Sequence, residues 1–533
     1  MPQGCLALVL HAHLPYVRHL DGDSYLEEKW FYEALTETYL PIYMMLSRVA
    51  DDGVPYRITM SLSPTLVSMF LDPLLQERYE RYINSLLELA EREVERTRTL
   101  PEHTESAVMY RDMFARAREC YLGALGRNMT EGFADLSRRG VVELITTGAS
   151  HGYLPLMEVC PEAARAQVIA AVDYHTQVFG TPPPGMWLPE CGYSPGVDTW
   201  LAEAGIKYFF TDAHGITNAA PRPRYGVYAP VYCPTGVAAF GRDMESSKQV
   251  WSAHEGYPGD YDYREFYRDI GHDLDWDYIR PYMNNSPVRT QTGIKYYRVT
   301  GRGEHKEPYV RKWAIQKARD HAGNFVFNRE RQVEHLAHVM DRQPIVVAPY
   351  DAELFGHWWF EGIDFLEHVI RTVASGQGVL GLATPSDYLK AYPRNQTATP
   401  SMSSWGYMGY SEVWLADCNN WVYRHLHMMS WRMADLARSF APPQPKLAER
   451  ALAQAARELL LAQSSDWAFM MKAGACVDYA VNRTRSHVSR FNRLYDEIRG
   501  SAIDETWLSD IESKDNIFPD IDYTVYAGSA GPT

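Results

Sequence analysis

About seven short apolar runs, each ending in a polar cluster, recur along the chain and restrict its fold more than any other feature. Cys5–Leu10 leads into His11-Ala12-His13, Arg57–Leu62 into Ser63-Pro64-Thr65, and Val141–Ile145 into Thr146-Thr147-Gly148. Gly185–Leu188 runs into Pro189-Glu190, Tyr208–Phe210 into Thr211-Asp212, Ile345–Ala348 into Pro349-Tyr350-Asp351, and Gly378–Leu382 into Ala383-Thr384-Pro385. Between them lie helical patterns: Leu75, Tyr79, Tyr82, Leu86 and Leu89 form one stripe, and Ala163–Val178 and Ile363–Ala374 read as helices. Strand, polar tip and helix in repetition predict parallel strands with helical crossovers. In a barrel, reactive groups sit at the C-terminal strand ends, where these polar clusters fall. The pattern fits a parallel β/α barrel or a doubly wound sheet, and the barrel is the reading preferred over residues 1–398.

Two insertions interrupt the rhythm. Residues 72–139 are helical and charged, and residues 213–260, rich in Gly, Pro and Tyr, read as a long loop over the barrel mouth. After residue 398 the strand pattern stops. Leu452, Ala456, Leu459, Gln463, Trp467 and Met470 trace one amphipathic helix, and Val488, Phe491, Tyr495 and Ile498 another. Residues 399–518 are therefore expected as a helical domain that contributes to the groove, with 519–533 as a loose tail.

A net charge of −15 argues against binding nucleic acid, which needs a basic face, and against anionic membranes. No apolar run reaches the roughly 18 residues of a membrane span, and the N-terminus carries no basic region or cleavage site. Seven scattered cysteines without a C-x-x-C pair fit neither a zinc ribbon nor a disulfide framework, so a reducing cytoplasm is expected. Fourteen tryptophans and 36 tyrosines suit a neutral polar ligand with flat C–H faces, as sugars have.

Two segments carry the chemistry. Trp187-Leu188-Pro189-Glu190-Cys191-Gly192 puts a lone carboxylate at a strand end, as a nucleophile requires. Tyr350-Asp351-Ala352-Glu353-Leu354-Phe355-Gly356-His357-Trp358-Trp359 puts Asp351 nearest its strand end, among aromatics and beside a second carboxylate. Such surroundings raise a carboxyl pKa, as a general acid at neutral pH needs. Capping roles are the structural alternatives for both. Two carboxyl groups flanking a sugar-sized pocket are the apparatus of glycoside hydrolysis, and a glycosyl-enzyme can pass its sugar to water or to another sugar. His11 and His13 share one face of an extended strand. Metal binding would need further ligands, such as His151 or Asp212; hydrogen bonding to hydroxyls is the reading preferred here.

Five ordered segments together resemble family-57 glycoside hydrolases, most nearly their 1,4-α-glucan branching enzymes. They are His11-Ala12-His13-Leu14-Pro15-Tyr16, Gly148-Ala149-Ser150-His151-Gly152-Tyr153-Leu154-Pro155, the Glu190 and Asp351 segments, and Ala383-Thr384-Pro385-Ser386-Asp387-Tyr388. The resemblance implies an incomplete parallel (β/α)7 barrel, Glu190 as nucleophile, Asp351 as general acid/base, and no metal or organic cofactor. It implies contact of His11 with the reacting glucose, a donor groove lined by Trp405, Trp414 and Trp276, and a substrate-binding set extended by His13, His151, Tyr232, Arg264 and Trp358. The partner would be an α-1,4-glucan such as amylose or a glycogen-like polymer, and the product an α-1,6 branch. α-Amylase or 4-α-glucanotransferase chemistry, a non-catalytic glucan binder and a metal-dependent deacetylase are the alternatives. One departure bears on the choice. The family's branching enzymes carry a mouth-loop tyrosine that excludes water; here Tyr232-Cys233-Pro234-Thr235-Gly236-Val237-Ala238-Ala239-Phe240 offers Tyr232 or Phe240 in its place.

Overall fold

The computed structural model describes residues 2–22, 25–252, 256–283, 286–301, 303–376 and 378–528. Its strands are β1 (Gly4–Ala12), β2 (Ile58–Leu62), β3 (Val142–Ile145), β4 (Gly185–Met186), β5 (Tyr208–Thr211), β6 (Val231–Tyr232), β7 (Ala238–Gly241), β8 (Ile345–Asp351) and β9 (Leu380–Leu382). The apolar runs are strands because both of their faces are covered. All five residues of β2 and all four of β5 are buried, as parallel strands under helices must be.

Two sheets form. One runs β3-β2-β1-β8, with β9 against β1; the other runs β4-β5-β7-β6. Every pairing is parallel except β6 with β7. A parallel bridge, Thr146 to Met186, stitches β3 to β4, and the Asp243 N–H donates to the Val347 carbonyl at 2.8 Å between the ends of β7 and β8. Pairing therefore runs β1-β2-β3-β4-β5-β7-β8 and back to β1, loosely sewn at two seams. The molecule is an α/β protein with parallel strands and a helical C-terminal region.

This order departs from expectation in two places. Residues 238–241, read as part of a mouth loop, are β7, paired in parallel with β5 from Tyr208↔Ala238 to Thr211↔Gly241. Phe240 is buried in the core with Trp187, Tyr208 and Phe210. Small residues and flanking Pro and Gly hide this strand from a hydrophobic pattern. The run at 378–382, expected as a strand of the ring, is β9, which lies beside β2 on the same edge of β1.

Helices Pro73–Arg96, Pro101–Glu119 and Met129–Arg138 occupy the first insertion. Asp72 caps the first of these by accepting from the Leu75 N–H, and prolines start the first two, where a missing N–H costs nothing. Helix Arg311–Val339 had no sequence counterpart, since much of its buried face is alanine: Ala314, Ala318 and Ala322 beside Phe325 and Val333. In the C-terminal region, Met429, Met433, Leu452, Leu459, Trp467 and Phe491 share one apolar core with Cys160, Ala163 and Ala166 of the helix Pro161–Phe179. The helical region is thus packed against the sheet region through a common core. The stripe expected as one helix through Met470 is two helices, Lys446–Ala462 and Ser465–Ala473, with the break at Gln463-Ser464. In the segment expected as a loose tail, Tyr523–Ala527 forms a 3-10 turn with Tyr526 buried, while 529–533 lie outside the described residues. No helix among the described residues is long and apolar enough to cross a membrane.

Candidate active site

The C-terminal ends of β1, β4, β7 and β8 open into a cleft of about 930 Å³. His11, His13, His151, Glu190, Arg242, Asp351, Glu353 and Trp405 lie in its wall, with Asp466 from the helical region. Met244, Trp251, Tyr407 and Phe469, all exposed, form an apolar rim.

Glu190 follows β4 in the left-handed region, φ +61°, as does His151 at +60°. Outside glycine that conformation costs of order 1–3 kcal/mol and is kept where it aims a functional group. Both Glu190 carboxyl oxygens are held by donors: the Trp405 indole N–H to Oε2 at 2.8 Å, and the Ser465 hydroxyl to Oε1 at 2.8 Å. The Trp405 backbone N–H also donates to the Glu190 carbonyl at 3.0 Å. Burial pushes the Glu190 carboxyl above the ordinary range, and the Trp405 and Ser465 donors pull it back.

Asp351 is treated differently. It ends β8 beside His11 in the register, and among the described residues its carboxyl takes no hydrogen bond from the protein. Burial, then the charges of Glu353 and Glu190, hold it well above the usual carboxylate value, with Arg242 opposing. Both carboxyl groups are raised, Asp351 the further, and the donors on Glu190 favour it as the anion of the pair.

The three histidines form a stack. His11 lies on Trp187, centroids 4.9 Å apart, and His13 on His151 at 3.8 Å, interplanar angle 16°. His13 Nε2 meets Asp466 Oδ2 at 3.1 Å. Burial works against a His13 cation, but Asp466 outweighs it and raises the imidazole pKa; Asp466 in turn resists its own burial and is held at about 2. His11 and His151 are driven well below the ordinary value, first by burial and then by neighbouring imidazoles. Ligand-capable atoms of His13, His151 and Asp466 lie within 4.8 Å of one another. The two rings are stacked, however, so their lone pairs lie in near-parallel planes and do not converge. His151 Nδ1 meets Ser465 Oγ at 2.9 Å and its Nε2 meets His11 Nε2 at 3.0 Å. Asp212, the other ligand considered, is tied to His214 at 3.0 Å and to Arg242 at 3.0 Å. Hydrogen bonding, not metal coordination, fits this donor set.

Several expected contacts fall elsewhere. Tyr232 faces Ala238 at the start of β7, hence at the N-terminal end of a parallel strand and away from the cleft, and its hydroxyl donates to the Pro393 carbonyl. Arg264 is buried, with Nη1 3.3 Å from the Tyr110 hydroxyl and its guanidinium 4.2 Å from the Phe360 ring centroid. Trp276 packs on the core under Arg289. Trp358 is 54% exposed and stacks on Phe266 outside the cleft, although its N–H donates to the carbonyl of the wall residue Glu353. Trp414 does reach the wall but is buried face to face against Tyr153, centroids 4.3 Å apart. Ser465, Asp466, Arg242, Trp251 and Phe469 were not foreseen. The one available signal for the first two was the polar Gln463-Ser464-Ser465-Asp466 break within an apolar helical stripe.

Paired carboxyl groups, one held by two donors and the other raised further, in an aromatic cleft define a glycosidase-type catalytic apparatus. The comparisons agree. The chain matches the glycosyl hydrolase family 57 model over residues 7–333 and the 1,4-alpha-glucan branching enzyme C-terminal model over residues 425–526. It is 32% identical to the 1,4-alpha-glucan branching enzyme of Thermococcus kodakarensis, across 97% of this chain and 77% of that one. Among solved structures it resembles a novel alpha-amylase from Thermotoga maritima, with TM-score 0.93 and 44% identity, covering 99% of each chain. It also resembles the family-57 branching enzyme of Pyrococcus horikoshii, with TM-score 0.89 and 32% identity, covering 100% of this chain and 98% of that one. The chain belongs to glycosyl hydrolase family 57 and is an enzyme of the glycoside-hydrolase type.

The Trp405 contact gives a direct test. Trp405→Phe keeps the ring and removes the N–H that holds Glu190 Oε2. A hydrogen bond to a charged group contributes about 1.5–3 kcal/mol, so kcat is expected to fall about 10- to 100-fold. A change confined to KM would instead reduce Trp405 to a stacking surface.

Proposed function

We propose that the protein is a 1,4-α-glucan branching enzyme acting by retention on amylose or a glycogen-like polymer. The observation that supports this most is the unequal treatment of the two carboxyl groups: Glu190 gripped by two donors, Asp351 raised further and, among the described residues, without one. Glu190 attacks the anomeric carbon while Asp351 protonates the departing glycosidic oxygen. Asp351 then removes the proton from a 6-hydroxyl of an acceptor chain, and the glucan passes from Glu190 to that oxygen. Arg242 stands where it can meet sugar hydroxyls, and the rim of Trp251, Tyr407 and Phe469 offers apolar faces to the chain. The branching-enzyme C-terminal match, which spans the region holding Ser465 and Asp466, favours transfer. A cytoplasmic location is part of this reading, supported by seven unpaired cysteines.

Hydrolysis of α-1,4 bonds is the second reading. The likeness to a Thermotoga alpha-amylase favours it, as does the position of Tyr232 and Phe240 away from the cleft mouth. Incubation with amylose separates the two. Branching should give new α-1,6 anomeric signals by proton NMR with few new reducing ends. Abundant reducing ends without α-1,6 signal would replace the branching assignment with hydrolysis.

A further inference from the structure

Between β2 and Glu190 runs an unbroken line of hydrogen bonds whose polarity can be worked out atom by atom. The Ser465 hydroxyl has one proton, and it goes to Glu190 Oε1 at 2.8 Å. Its contact with His151 Nδ1, at 2.9 Å, must then be one in which Nδ1–H donates to Ser465 Oγ. A neutral imidazole protonated at Nδ1 has a bare Nε2, so His11 Nε2–H must donate across their 3.0 Å contact. His11 Nδ1 is bare in turn and accepts from the Ser61 hydroxyl at 3.2 Å.

We propose that Ser61, His11, His151 and Ser465 form a relay of single polarity, every donor aimed toward Glu190, and that Ser61 and Ser465 are positioning residues for the nucleophile. This rests on Glu190 being the nucleophile. Two features keep the relay in one state. Both imidazoles must be neutral, and His13, the ring that Asp466 favours as a cation, stacks 3.8 Å above His151 and makes an imidazolium there unfavourable. Reversing every bond would require a proton on Glu190, against the Trp405 N–H that already donates to its other oxygen. Charged groups facing Glu190 are His13 and Asp466, with Asp351 close enough to be raised by it and Arg242 beyond. The relay thus supplies stabilisation of a buried anion without a cation in direct contact. Each donor is polarised by the next, so Ser61 acts on a carboxylate that it does not touch.

Neutron diffraction from deuterated crystals of the intact protein at pH 7 reads the relay directly. Deuterons are expected on His11 Nε2 and His151 Nδ1, with His11 Nδ1 and His151 Nε2 bare. Any other tautomer, or a doubly protonated ring at either position, overturns the proposal whatever the role of Glu190. The pH profile of kcat/KM supplies an independent readout. Ser465→Ala should move the acidic limb up by about one pH unit, because loss of a donor raises the Glu190 pKa, and Ser465→Thr should restore it. Ser61→Ala should move the same limb in the same direction by roughly half a unit. If Ser61→Ala folds and leaves the limb in place, Ser61 is merely structural. Failure of Glu190 as nucleophile would appear separately, as activity retained in a Glu190 variant with the tautomers unchanged.

Discussion

Glu190→Gln is expected to abolish transfer and hydrolysis together, by about 10⁴-fold or more, with unchanged folding and nearly unchanged glucan affinity. In the proposed mechanism both reactions begin with a covalent bond from Glu190 to the anomeric carbon, and an amide oxygen is too poor a nucleophile to form it. The substitution is otherwise mild: the Gln carbonyl can still accept from Ser465 or Trp405. Loss of only one of the two activities would mean that the reactions use different nucleophiles. Substantial retained turnover, measured on amylose with both NMR and reducing-end assays, would place the nucleophile elsewhere.

Asp351→Asn should lower kcat on amylose about 10²–10⁴-fold, the range spanned by positioned general acids and bases. Asp351 is held well above the usual carboxylate value by burial and by Glu353 and Glu190, so it keeps its proton to higher pH than an ordinary aspartate and loses it as pH rises. The alkaline limb of the wild-type profile should therefore belong to Asp351 and disappear in the Asn variant. An α-glucoside with a good leaving group needs no proton for bond cleavage, and it should recover most of the first step while turnover stalls at the second. If such a substrate is slowed as much as amylose, Asp351 is not the acid, and Glu353 becomes the candidate. Glu353 is already bonded by the Tyr39 hydroxyl and the His13 N–H, which makes it a poorer proton donor.

The strand ends were legible because a parallel strand buried on both faces must be a continuous apolar run, and its polar successors stand out by contrast. That contrast gave His11, His13, Glu190 and Asp351 positions on strand tips, and all four line the cleft. Strand β7 was not legible: Val237-Ala238-Ala239-Phe240 lies just beyond Pro234 and Gly236, and only its pairing with β5 identifies it. Ser465 and Asp466 were hidden for another reason. Their importance comes from where a helix break falls in space, and a break in a stripe looks the same whether it faces solvent or a carboxylate. Arg264 and Trp276 came from likeness alone, with no residue pattern behind them, and they pack into other parts of the core.

The grip of the helical region on Glu190 also bears on how such chains can diverge. Ser465 and Trp405, both beyond the β/α region, hold the two oxygens of a side chain just past β4, and Asp466 pairs with a histidine just past β1. The reactive centre is therefore not a module that the strands own. A C-terminal region borrowed from a relative would have to arrive with its Ser-Asp pair in register to within hydrogen-bond tolerance. Exchange of whole regions between relatives should thus be far less permissive than point change along the rim, where Tyr407 and Phe469 face solvent. Specificity in this scaffold can drift at the rim while its two halves remain bound to a shared inheritance.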